Sequence, residues 1–523
     1  MRYSVLEYLE KSAKKYGDKT AVTDEHTSCS WKELKEGSMR AGSFLAKAVE
    51  PNQPVPVLAE KSIRTLEVFL GSVYAGAFYS LLNPQIPLSR QLQILSVLDV
   101  RILVTDREHG ENAAALLQKL SEEGKNVPRL IFMEDILDTP LDEALLAGRQ
   151  IAHIDTDPLY ANFTSGSTGT PKGVLVGHRS VIDFIDCFTE EFGIDASDII
   201  ANQAPFDFDV SVKDIYSALK TGASLVLVPR RLFSNPAALL DFLCEHKVTN
   251  LTWAVSALCL ISTFHGLEYR CPDTIRRVLF SGEVMPAKHL GYWMSYLPEA
   301  EFVNLYGPTE ITCNCTFHRI DRERNYEDGI PIGQPFKNER VFLLDAEDGP
   351  VTEAGVNGEI CVAGSCLALG YYHCPEQTQK AFTQNPLNSS VPERIYRTGD
   401  LAYYSSEGEL FFAGRKDFQI KYQGHRIELE EIERAMDKIP GMIRSCCIFD
   451  QEKERLYGFY TGTPEKSELH EILRRELPDY MVPARLTKVE EMPLTKNGKI
   501  DRKLLLSMAK SSRRRTRECK TRN

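Results

Sequence analysis

The sequence predicts an α/β fold, with a large N-terminal domain of parallel sheets flanked by helices plus a small C-terminal α+β domain. Three observations carry this reading. Short apolar runs without a period-two pattern alternate with helical stripes as far as about residue 305, as strands buried on both faces should. Near residue 415 the pattern changes to half-buried alternation. At 523 residues, the chain is also long enough for about three domain-sized units.

In order, Ala21-Val22-Thr23 and 55–59 read as strands, and 62–75 as a helix with Ile63, Leu66, Phe69, Leu70 and Val73 on one stripe. The runs 101–106, 129–133 and 159–163 are further strands, and a helical stripe begins near Ser180 with Val181, Ile182, Phe184, Ile185 and Phe188. Strands at 224–228, 250–255, 277–280 and 302–305, with a helix at 238–246, complete the large domain. The small domain reads β-β-α-β-β-α-β from 417 to 489. We therefore expect domains at 1–414 and 415–508, then a basic disordered tail at 509–523.

The net charge of −11 argues against nucleic acid or an anionic membrane as the main partner. No apolar run approaches the ~20 residues of a membrane span, and the N-terminus has no signal-peptide pattern. The thirteen cysteines are scattered without a CxxC pair and read as reduced thiols. A cytoplasmic monomer is expected.

Between the strand at 159–163 and the helix after it lies Thr164-Ser165-Gly166-Ser167-Thr168-Gly169-Thr170-Pro171-Lys172-Gly173. Glycines let backbone N–H groups converge, hydroxyls add donors and Lys172 adds charge, which suits a phosphate cradle. It is not a Walker A loop, since no Ser or Thr follows the lysine. The same composition also suits a plain surface loop. Four further strings stand downstream: Tyr306-Gly307-Pro308-Thr309-Glu310, Tyr396-Arg397-Thr398-Gly399-Asp400, Gly414-Arg415-Lys416-Asp417-Phe418-Gln419-Ile420-Lys421 and Pro493-Leu494-Thr495-Lys496-Asn497-Gly498-Lys499. Taken singly they are a turn, a Gly-Asp turn, a domain linker and a hairpin tip.

Together, and in this order, the five resemble the signature of the adenylate-forming superfamily across residues 30–502. The resemblance implies ATP and Mg²⁺. Thr164, Ser165, Gly166, Ser167, Thr168, Gly169 and Lys172 would hold the phosphates. Asn304, Tyr306, Gly307 and Thr309 would lie at the nucleotide, and Asp400 and Arg415 at the ribose. Glu310 would be the magnesium ligand and Asp417 the hinge. Glu310, Thr164 and Lys499 would be catalytic, with Lys499 bridging the substrate carboxylate and the α-phosphate.

In amino-acid-activating members a carboxylate at the position of Asp209 pairs with the substrate ammonium; the alternative is that Asp209 or Asp207 caps the next helix. The remaining pocket positions implied are Val210, Lys213, Trp253, Leu279, Ser281, Leu305, Cys313 and Asn314. The bulk of Trp253, Leu279 and Leu305 suggests a small cavity and a small amino acid such as alanine or serine. The closest resemblance is to stand-alone amino-acid adenylation enzymes such as D-alanine–D-alanyl carrier protein ligase, carried by 202–206 and 415–421. Ser281 and Lys213 depart from that ligase, and Val210, Leu279, Ser281 and Leu305 resemble serine-activating domains. No phosphopantetheine attachment motif follows Arg502, so a carrier protein supplied in trans is expected. The alternatives are an acyl- or aryl-CoA synthetase, or a nucleotide-binding interaction protein without catalysis.

Overall fold

The computed structural model describes residues 2–165, 170–451, 453–494 and 500–510. The chain forms two compact units, Met1–Pro84 with Ile94–Phe163 and Lys172–Lys416, and Gln85–Gln93 with Thr164–Pro171 and Asp417–Asn523. The division after Lys416 falls two residues beyond the expected 414/415 boundary. The cause is pairing: strand Leu410–Arg415 lies antiparallel to Arg394–Tyr404, with Arg415 opposite Asp400.

In the first unit the apolar runs become the centres of two sheets. One runs, strand by strand, Gln334–Pro335, Thr316–Arg319, Glu301–Tyr306, Arg277–Ser281, Asn250–Ala254, Ile199–Asn202, Ser224–Leu227, Thr20–Thr23 and Ser28–Ser30. Its central strands are parallel. The other is seven-stranded and includes Phe78–Leu82, Pro54–Leu58 and Ile102–Thr105 in parallel. Helices lie against the sheets because each strand has two faces to cover. Leu279, Val303 and Leu305 join one core with Phe69, Tyr79 and Phe206, while Trp253, Phe280 and Trp293 join a second core. A third, five-stranded antiparallel sheet follows, built on the long strand Arg394–Tyr404.

Local chemistry sets the helix ends. Ser30 and Glu33 form a reciprocal capping box on helix Trp31–Ala48, and Ser62 caps Ile63–Tyr74 through Thr65 N–H. Helix Val210–Thr221 stops at Gly222, whose φ of 78° is the left-handed C-terminal position that glycine fills without strain.

The second unit follows the expected order. Strands Gln419–Tyr422 and His425–Glu428 form a hairpin around Gln423 and Gly424, both at positive φ, as a tight primed turn requires. Helix Leu429–Asp437, strands Met442–Asp450 and Arg455–Gly462, helix Lys466–Glu476 and strand Arg485–Lys488 follow. A last helical segment, 502–510, buries Leu505 and Ala509 against Cys446 and Phe459. Residues 509–510 therefore belong to this unit rather than to a disordered tail, and 511–523 lie outside the described residues. Among the described residues no disulfide forms, and no helix is long and apolar enough to cross a membrane.

Candidate active site

Four neighbouring parallel strands end at Asn202, Ala254, Ser281 and Tyr306. Their carboxyl ends share one edge of the sheet, where open α/β sheets bind ligands. Most residues singled out from the sequence in the first unit gather there.

Tyr306 closes strand Glu301–Tyr306, and its hydroxyl donates to Asp400 Oδ2 at 2.6 Å. Arg415 Nη1 donates to Asp400 Oδ1 at 2.7 Å and to the Thr398 carbonyl at 3.1 Å. Asp400 is only 2% exposed. The Gly399-Asp400 pair lies inside the long strand Arg394–Tyr404, so the turn reading of that pair is wrong. Burial and the adjacent carboxylate push the Tyr306 phenol well above its ordinary range. Asn304 donates its amide to the Pro331 carbonyl at 2.9 Å.

After Tyr306 the chain passes Gly307 into the short helical turn Thr309–Ile311. A Cβ on Gly307 would stand 2.5 Å from Asn314 Cα and 2.8 Å from the Cys313 carbonyl oxygen, so only glycine fits this approach. Thr312 and Cys313 are both left-handed, at φ 58° and 79°, a costly conformation for side chains of this kind. Contacts on several sides hold them there. Thr312 Oγ1 donates to the Cys366 carbonyl at 2.7 Å, Cys313 Sγ reaches the Asp209 carbonyl at 3.1 Å, and Cys315 N–H donates to the Tyr306 carbonyl at 2.8 Å.

Glu310 is buried, and its Oε1 accepts from the Tyr371 hydroxyl at 2.7 Å. Lys172 Nζ stands 5.5 Å from the centre of the Tyr371 ring. Magnesium in nucleotide sites takes one or two carboxylates and completes its shell with phosphate oxygens and water. The single carboxylate of Glu310 fits that role, and no group of three or more potential metal ligands forms among the described residues.

Asp209 is half-buried at the start of helix Val210–Thr221, and its side chain makes no capping bond. The helix-cap explanation therefore fails for it. Asp207 sits before the helix and accepts from Asn83 Nδ2 at 3.3 Å, while burial lifts its carboxyl to about 6. Val210 is half-buried in the first helical turn. Lys213 is buried in the next turn, with Nζ donating to Asn314 Oδ1 at 2.6 Å. Leu279 and Ser281 alternate along one strand, and Leu305 shares the face and core of Leu279.

Trp253 does not belong with them. Register places it beside Phe280, and Ala254 beside Ser281. Paired residues of parallel strands share a face, so the indole lies in the second core, where its Nε1 donates to the Ala201 carbonyl at 2.9 Å. Ala254 is the strand position on the pocket face, and the tryptophan bulk assumed from the sequence is not there.

Thr164 and Ser165 belong to the second unit, where Ser165 Oγ donates to the Arg426 carbonyl at 2.7 Å. Asp417 opens that unit's main segment and accepts from Gln419 N–H at 3.1 Å. Gly166, Ser167, Thr168, Gly169 and Lys499 lie outside the described residues. Sequence reasoning missed two contributors: Tyr371, which joins Lys172 to Glu310, and Thr398, whose carbonyl holds Arg415. Tyr371 carries no local signal, because it acts through partners far away in the chain, whereas Thr398 lies inside the 396–400 string without having been given a role.

With this geometry in place, comparison with known proteins is informative. The family model for AMP-binding enzymes matches residues 9–372, and that for the AMP-binding enzyme C-terminal domain matches 431–499. Tyrocidine synthase 1 of Brevibacillus parabrevis is 31% identical over 96% of this chain, which spans only 45% of that protein. Bacitracin synthase 1 of Bacillus licheniformis is 32% identical over 95% of this chain, and there the chain spans 9% of the relative's length. Zwittermicin A synthase ZmaJ of Bacillus cereus is 31% identical, over 97% of this chain and 95% of its own length. Holo-PA1221, a solved NRPS protein containing adenylation and PCP domains, shares the fold at a TM-score of 0.81 and 24% identity, covering 97% of this chain and 84% of its own.

Proposed function

We propose, from the premise that this chain belongs to the family of AMP-binding enzymes, which form adenylates, that it activates an α-amino acid and passes it to a carrier-bound thiol. The observation that carries the amino-acid reading is Asp209. This half-buried residue stands at the start of a helix without using its side chain to cap it, and its backbone carbonyl accepts from Cys313 Sγ. A carboxylate so placed favours a cation beside it, and the substrate's α-ammonium supplies one.

In the first step the substrate carboxylate oxygen attacks the α-phosphorus of ATP, and the bond to the pyrophosphate oxygen breaks. The products are aminoacyl-AMP and pyrophosphate. Positioning and charge stabilisation do most of the work in such displacements. Asp400, oriented by Tyr306 and Arg415, is built to accept from ribose hydroxyls. Glu310 would hold the magnesium ion, which neutralises phosphate charge when bound. Lys499 at the reacting carboxylate and Asp417 as hinge rest on sequence resemblance.

In the second step a phosphopantetheine thiolate takes the aminoacyl group and AMP leaves. The adenylation and PCP domains together in PA1221 support a carrier as the acceptor. We read that carrier as a separate molecule and the substrate as a small amino acid, in the manner of D-alanine–carrier protein ligases and stand-alone adenylation enzymes of peptide synthesis.

Pyrophosphate exchange tests the reading. Some α-amino acid should drive exchange, and Asp209→Ala should lower kcat/KM by about 3 kcal/mol or more through the unpaired ammonium. Exchange driven only by acids lacking an amine, or unaffected by Asp209→Ala, would instead favour an acyl-CoA synthetase.

A further inference from the structure

Two lysines, Lys61 half-buried and Lys213 buried, lie near the carboxyl ends of these strands, and they are treated differently. Lys61 Nζ donates to the Asn202 carbonyl at 2.9 Å, to Asn202 Oδ1 at 3.2 Å and to the Gln203 carbonyl at 2.9 Å, so its three N–H donors are used. Lys213, 1% exposed, donates among the described residues to Asn314 Oδ1 alone. It forms no ion pair among the described residues. Its neighbour Asp214 is turned to Asn202, whose amide donates to Asp214 Oδ2 at 3.0 Å. Burial holds the Lys213 ammonium below its ordinary range, with the neighbouring Cys313, Asp209 and Asp214 acting the other way. A shielded ammonium with one neutral acceptor lacks partners that buried charges ordinarily have.

Its place says what is missing. Lys213 lies four residues after Asp209, whose backbone is already helical just before helix Val210–Thr221, a spacing that puts two side chains on one face about 6 Å apart. Across from them Cys313 bonds the Asp209 carbonyl and Asn314 bonds Lys213. Trp253 is on the opposite face of the sheet and Ala254 stands in its place, so the indole does not occupy this side.

We infer that the amino acid taken here carries a short side-chain carboxylate, of aspartate or glutamate type, bound by Lys213 while Asp209 holds the α-ammonium. The inference rests on the amino-acid-activating reading and replaces its small neutral side chain with an anionic one. Each charge then meets its opposite: α-ammonium with Asp209, side-chain carboxylate with Lys213. With a neutral side chain such as that of alanine or serine, Lys213 would keep the Asn314 amide oxygen as its hydrogen-bond acceptor, its charge offset in part by Asp209 and Asp214 but without a directly bonded carboxylate among the described residues. Lys213 is thus the residue that sets specificity, and it takes no part in the bond-making step.

The test is pyrophosphate exchange by the full chain with both enantiomers of aspartate, glutamate, asparagine, glutamine, alanine and serine, and with glycine. An acidic amino acid should exceed its own amide in kcat/KM by tenfold or more. In Lys213→Met that ratio should fall to one or below, chiefly through KM for the acid, and Lys213→Arg should restore part of it. Wild-type exchange with neutral amino acids but not with acidic ones overturns the inference and leaves amino-acid activation standing. Exchange with amine-free acids alone overturns both. If Lys213→Met does not fold, the wild-type ratio of acid to amide decides.

Discussion

Replacing Asp400 by asparagine tests whether the Tyr306–Asp400–Arg415 cluster holds the nucleotide end of the site together. The two amino acids have nearly the same shape, so packing is preserved. One oxygen, however, becomes an NH₂ facing a donor, either the Tyr306 hydroxyl or Arg415 Nη1, which now lie at 2.6 and 2.7 Å. Breaking a fully buried ion pair costs about 3–5 kcal/mol. Arg415 keeps the Thr398 carbonyl and its side chain is 13% exposed, which favours the low end, ~3 kcal/mol. For a unit of this size, at ~2.1 cal/mol/K per residue, that lowers Tm by about 4 °C. Calorimetry should show the loss in the transition of the first unit, and Tyr306→Phe should cost less, ~1 kcal/mol. The KM for ATP should rise together with the loss of stability in Asp400→Asn. A Tm within 1 °C of wild type would refute the claim that these contacts carry structural weight.

Further perturbations probe other parts of the site. Gly307→Ala forces backbone apart at Asn314 and Cys313, and should destabilise by ~3 kcal/mol, read by chemical denaturation. Glu310→Gln should raise the Mg²⁺ concentration needed for half-maximal exchange by tenfold or more, and Tyr371→Phe should raise it less. Chelation by EDTA should abolish exchange. Asp207 supplies a pH test. Its carboxyl sits at about 6 rather than 3.8, and its Oδ1 is buried without a hydrogen-bond partner. The folded state therefore binds the proton more tightly, and Asp207 costs stability increasingly as pH rises from 4 through 6. Asp207→Asn should be more stable than wild type at pH 8, by up to ~2–3 kcal/mol, and equal to it at pH 3.5. Thermal melts at both pH values check this.

The parallel sheets of the large unit were legible in the sequence because their strands are short and almost purely apolar. That same purity hid which way each residue points. A strand covered on both faces has no polar side to fix its register by eye, so Trp253 and Ala254 could not be told apart until pairing with Phe280 and Ser281 was known. The sheet that carries Asp400 was missed for the opposite reason. Along Arg394–Tyr404 the buried alternate positions include Thr398 and Asp400, polar residues that face inward and bond there, Thr398 Oγ1 to the Ile360 carbonyl and Asp400 to Tyr306 and Arg415, and they break the alternation a half-buried strand should show. Asp209 could be singled out because a motif frames it. Lys213 was noticed as a departure from the resembling ligase, but its meaning depended on how few partners surround it, which only the folded chain reveals.

The close approach of Gly307 to Cys313 and Asn314 has a consequence for anyone wishing to redesign this enzyme. On the proposed function, the wall that would meet the amino acid and the loop that leads from Tyr306 share close backbone contacts, so changing Cys313 or Asn314 to admit a new substrate should disturb nucleotide handling as well. Ala254 and Ser281 stand on strands braced by their neighbours and can be varied without moving that loop. Libraries that retune selectivity should begin at those two positions and leave the 312–314 bend intact.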